Sequence, residues 1–163
     1  MMPVTFTADE IFEMAIEIER NGVVLYREAA ERSSDKKTKR MLLEMAETED
    51  GHLETFRHMR EGLGSENGAA IFDPDNRSVM YLQTMADARG WEGKISPTQE
   101  LSGSETTRQI IEIALNSEKE SVVFYFGLKD LVPVKADKDT VEEIIIEELG
   151  HISELLKMLK SLQ

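Results

Sequence analysis

One pattern occurs twice in this chain, at a constant offset of 99 residues. Residues 15–26 read AIEIERNGVVLY and residues 114–125 read ALNSEKESVVFY. Each is followed about thirty residues later by Glu-x-x-His: Glu49 with His52, and Glu148 with His151. The offset pairs Glu19 with Glu118, Tyr26 with Tyr125, Glu49 with Glu148, Gly51 with Gly150 and His52 with His151. A glutamate on one helix and Glu-x-x-His on the next, presented twice, is a donor set for two metal ions enclosed by four helices.

The hydrophobic spacing supplies the helices. Thr7 and Glu10 form a Thr-x-x-Glu capping box ahead of Ile11, Ala15, Ile18, Gly22, Leu25, Tyr26 and Ala29, which predicts a helix over about 8–32. Ser33-Ser34-Asp35 breaks it and caps a second helix, about 36–62, carrying Leu42, Met45, Leu53, Phe56, Met59 and Leu63 and stopping near Gly62–Gly64. Residues 63–103 differ in kind. They hold a small polar loop, an Asp73-Pro74 start for a short helix over about 76–88, and an irregular stretch with Gly90, Gly93 and Pro97. Trp91 is expected to plug the bundle surface. Ser102 and Glu105 look like a second capping box opening a third helix, about 104–131, which Pro133 ends. Asp139 to Glu142 is expected to cap a fourth, about 138–161. Short links force two antiparallel hairpins, and the long 63–103 segment permits a crossover between them. The expectation is a single all-α domain over 1–163, a four-helix bundle.

The acids occupy gaps in the apolar stripes. Glu19 fills the gap in 11, 15, 22, 26, 29, and Glu118 fills the one in 111, 114, 122, 125. Glu49 with His52, and Glu148 with His151, lie on the inward stripes of the second and fourth helices, whereas Glu17, Glu47, Glu54, Glu120 and Glu147 fall off them. Height agrees. Residue 34 is 15 residues from both Glu19 and Glu49, and Pro133 is 15 from both Glu118 and Glu148. At 1.5 Å per residue each carboxylate stands about 22 Å from its turn, so each hairpin sets its two glutamates at one level. Four ionised carboxylates buried without partners cost several kcal/mol each, and two divalent cations cancel that charge. Carboxylate plus imidazole suits iron or manganese. In the expected scheme Glu49 and Glu148 bridge, Glu19 with His52 and Glu118 with His151 are terminal, and Tyr26 and Tyr125 sit behind them. The repeated Gly51 and Gly150 suggest close backbone approach near the ions, or simply descent from a duplicated hairpin. His58 is expected on the surface.

Composition narrows the chemistry. A chain of 163 residues, 40% hydrophobic and 31% charged, can bury a core. Its net charge of −13 argues against nucleic acid or an anionic membrane as partner. With no cysteine there are no disulfides, thiolate metal sites or thiol nucleophiles. Asp9, Glu10, Glu13 and Glu17 stand where a secretion signal would be apolar, so a cytoplasmic location is expected.

At these residues the chain resembles the rubrerythrin-type, ferritin-like di-iron carboxylate family across its four helices, though not across 64–101. The resemblance implies a non-haem di-iron centre, often in a homodimer, reducing hydrogen peroxide or handling dioxygen and iron. Glu19, Glu49, His52, Glu118, Glu148 and His151 match the six shared ligands, with manganese or a mixed pair as alternatives to two iron ions, and Tyr26 matches the tyrosine seven residues after the first glutamate. Two departures matter. The cysteine-ligated rubredoxin domain is missing, which implies an external electron-donor protein. The additional glutamate three residues after the helix-three glutamate is here Ser121, opposite Gly22 in the other repeat, which implies a more symmetric site.

Overall fold

The computed structural model describes residues 7–63, 80, 101–132 and 134–162. The short helix expected over 76–88, Trp91 and Pro133 lie outside these described residues. Four long helices organise the rest: α1 (Ala8–Arg32), α2 (Lys36–Glu61), α3 (Thr107–Leu131) and α4 (Lys135–Ser161). Helix α1 opens on the Thr7–Glu10 capping box and α2 on Asp35, whose carboxylate accepts the Thr38 backbone N–H.

Both helices of the second hairpin start elsewhere than the spacing suggests. Helix α3 is capped by Thr106 and Gln109, not by Ser102 and Glu105. Glu105 instead accepts the N–H groups of Ser102 and Gly103 and pairs with Arg32 at the end of α1, fastening the chain just ahead of the helix. Gly103, at φ 98°, makes the turn that permits this, a conformation open to glycine but strained for other residues. Helix α4 begins at Lys135, ahead of the Asp139 cap expected from sequence, and its N-cap Val134 offers no side-chain acceptor. Asp139 instead lies inside the helix, 3.5 Å from Lys135 Nζ.

Packing is closest within the α1/α2 and α3/α4 hairpins, with α1 against α3 and α2 against α4 completing an all-α four-helix bundle. The core forms two apolar clusters. One gathers Phe12, Phe56, Tyr125, Leu128 and Val141, and the other Tyr26, Leu42, Ile111, Ala114 and Leu155. Each large side chain withdrawn from water contributes about 1.5–3 kcal/mol. Where the two clusters adjoin, six buried acids and histidines interrupt the apolar lining. No helix among the described residues is long and apolar enough to cross a membrane.

Candidate metal centre

The six residues singled out by the repeat are all buried: Glu19 on α1, Glu49 and His52 on α2, Glu118 on α3, and Glu148 and His151 on α4. They fall into two overlapping groups. Glu19, Glu49, His52 and Glu148 bring four donor atoms within 4.8 Å of one another, and so do Glu49, Glu118, Glu148 and His151. Glu49 and Glu148 belong to both. The i, i+3 spacing aims each Glu-x-x-His pair from one helical face, so His52 Nδ1 lies 2.9 Å from Glu148 Oε1 and 3.5 Å from Glu19 Oε2. His151 Nδ1 lies 3.0 Å from Glu49, 3.2 Å from Glu118 and 3.1 Å from Glu148.

Behind the carboxylates the two hairpins are tied crosswise. The Tyr26 hydroxyl donates to Glu118 Oε1 and the Tyr125 hydroxyl to Glu19 Oε1. Burial, with the carboxylates nearby, pushes both phenols well above their ordinary range, so they remain donors. Tyr125 is packed against Phe56 and Phe124, and Tyr26 makes a T-shaped contact with the His151 ring.

The charge in this layer is not settled by the side chains alone. Burial, then the Glu148 charge, pushes Glu19 well above the usual carboxylate range. Burial and Glu19 do the same to Glu49, and burial with Glu148 raises Glu118 to about 8. Burial also opposes ionisation of Glu148, but its contacts with His151 and His52 prevail and keep its pKa below the ordinary value. For the histidines burial favours the neutral ring, yet the carboxylates outweigh it, raising His52 to about 9 and His151 to about 12. Without a metal ion, protons therefore take up the negative charge of most of the layer. Even so, Glu19 Oε2, Glu49 Oε1, His52 Nδ1 and Glu148 Oε1 are buried and make no well-aligned hydrogen bond, although the histidine nitrogens lie within 2.9–3.5 Å of these carboxylate oxygens. Orphaned buried polar atoms are rare and costly. These four all belong to one donor group, which is the arrangement a cation would satisfy. The residues fit a di-metal site.

Two features escaped the sequence. Glu147, placed off the inward stripe, reaches His52 Nε2 at 2.5 Å. A carboxylate on the outer nitrogen fixes the tautomer that leaves Nδ1 free to bind a metal. Its counterpart in the repeat is Thr48, whose hydroxyl bonds back to Glu44 O instead. The two halves are thus less symmetric than expected, and only the contact across α2 and α4 could have revealed it. The second is Gly22. A Cβ there would sit 2.8 Å from Glu49 Oε2, so the glycine makes room for the carboxylate. Gly51 and Gly150, by contrast, have nothing within 4 Å of where a Cβ would be, so close packing within this chain does not explain them. Ser121 is buried and donates to Ser117 O, and His58 is exposed.

A bundle of four helices around a buried carboxylate–histidine cluster defines a ferritin-like di-metal carboxylate protein. Residues 10–160 match the rubrerythrin family, and the chain belongs to that family. Among solved structures it is similar to a Thermotoga maritima protein provisionally described as a ferritin-like diiron-carboxylate protein, with 25% identity, 98% of each chain covered and a TM-score of 0.70. The fold also resembles that of KatB, a manganese catalase from Anabaena, at 18% identity and a TM-score of 0.66, covering 98% of this chain and 75% of that one. No curated protein matches the chain in sequence.

Proposed function

We propose that the protein is a non-haem di-iron oxidoreductase that reduces hydrogen peroxide or dioxygen. The observation that carries this is the pair of four-donor groups sharing Glu49 and Glu148. Glu49 and Glu148 would bridge the two ions, Glu19 with His52 would complete one sphere, and Glu118 with His151 the other. One histidine for each ion leaves room for a small oxidant, as in a reactive site. Bound iron would supply Lewis acidity and electrons.

The chain's own groups govern charge and protons. Tyr26 holds a proton at Glu118 Oε1 and Tyr125 holds one at Glu19 Oε1. Reducing peroxide to two waters takes two electrons and two protons, and these hydroxyls keep protons beside the carboxylates where charge would change. Glu147 orients His52. The apolar clusters on either side limit water around the layer. Electrons would come from a donor outside the four-helix bundle, because none of these 163 residues is a cysteine that could hold a rubredoxin-type iron.

Ser121 favours a second reading, metal binding or iron handling without turnover. Its hydroxyl is engaged by Ser117 O, and no further carboxylate stands at that position. Stopped-flow mixing of the anaerobic ferrous-loaded protein with peroxide, and separately with dioxygen, distinguishes the two. Oxidation much faster than that of free ferrous ion supports the enzyme. Stoichiometric binding of two ions with oxidation no faster than in solution leaves the storage reading standing. Elemental analysis of the purified protein decides between iron and manganese.

A further inference from the structure

The exposed face of α4 carries a second, unused pattern. Glu142, Ile146, Leu149, Ser153, Leu156 and Lys160 recur at spacings of four and three and are all exposed. Ile146 is 62% exposed, Leu149 47% and Leu156 49%. Together they leave on the order of 300 Å² of apolar side chain open along one stripe, the size of the largest patch on a typical monomer, which is often a functional one. The internal repeat provides a control. The same six positions on α2 are Leu43, Glu47, Asp50, Glu54, Arg57 and Glu61, an almost wholly charged surface. Neither the fold nor the metal layer therefore requires an apolar exterior here.

We infer that this face of α4 pairs with the same face of a second copy of the chain, antiparallel, about a two-fold axis near residue 151. The stripe is self-complementary about that point. In a two-fold antiparallel pairing Ile146 meets Leu156 of the second copy, Leu149 meets the small Ser153, and Glu142 at one end meets Lys160 from the other. All three pairings share one centre, so a single register satisfies large against large, large against small, and acid against base. The equivalent pairing of α2 would set Asp50 against Glu54 at its centre, Glu47 against Arg57 and Leu43 against Glu61, so it has like charges at the middle and no apolar pair at all.

Sedimentation equilibrium on the full chain tests this. The wild type should be a dimer at micromolar concentration. Glu142→Lys places lysine opposite Lys160 and should weaken the dimer by roughly ten-fold or more. Adding Lys160→Glu to that variant reverses both charges and should restore association. Leu149→Glu should be monomeric at the same concentration, with unchanged helical circular dichroism. A chain with no cysteine also permits a single spin label at Ser161→Cys, for which the antiparallel register expects a separation of about 30 Å. A wild type monomeric up to millimolar concentration would overturn the pairing. So would a dimer unmoved by Glu142→Lys and Leu149→Glu, which would place the interface elsewhere. If Leu149→Glu does not fold, the two surface charge variants still decide the matter.

Discussion

Single atoms set the terms of the metal layer. A methyl group at position 22 would collide with Glu49 Oε2, so Gly22→Ala should displace that carboxylate. Alanine also favours the helix by about 1 kcal/mol, so the metal-free variant should hold or gain thermal stability while metal affinity falls by about ten-fold or more. Isothermal titration with manganous ion, beside a thermal melt, reads both. Glu147 acts through His52 rather than on the ions. Glu147→Ala should weaken binding of one ion by about 10–100-fold and leave the other close to its original affinity. The converse variant, Thr48→Ala, should change neither. Glu147 itself was invisible in the chain because a helical wheel ranks residues by their own helix. Its importance comes from His52 on a different one.

Helix ends show what local sequence can and cannot specify. The Thr7–Glu10 box and Asp35 were legible because each has an acceptor in the required place and no close competitor. Near α3 two boxes compete four residues apart, and the tertiary contact from Arg32 to Glu105 removes the first from contention. At α4 the cap is simply poor, for Val134 is half exposed and makes no side-chain bond to the first turn. Val134→Ser or Val134→Asp should therefore stabilise the protein by about 1 kcal/mol, measurable by urea denaturation. The six inward acids and histidines were readable for a different reason. A buried charge costs so much that two copies of the pattern, at matched heights, leave little room for accident.

Across the whole molecule, protons and cations compete for one layer of charge. Glu118 ordinarily titrates near 4.5 and here at about 8, while His52 ordinarily titrates near 6.5 and here at about 9. Both raised values mean that the folded, metal-free state holds protons that the unfolded chain releases. Their stabilising contribution is complete below about pH 4.5 for Glu118 and 6.5 for His52, and is lost as pH rises toward 8 and 9 respectively. The melting temperature of chelator-treated protein should accordingly fall by at least about 5 °C between pH 5 and pH 9. Loading metal displaces those protons, so its affinity should rise over the same interval and the melting curve should flatten or reverse.

The crosswise tyrosine bonds reach further than the centre they brace. Each donor group draws on both hairpins, and each tyrosine steadies a carboxylate from the opposite half. Two separate half-length peptides would have to find one another in solution before either ion had its ligands. Fusion into one polypeptide replaces that bimolecular search with an internal encounter, so that occupancy no longer depends on how much protein a cell makes.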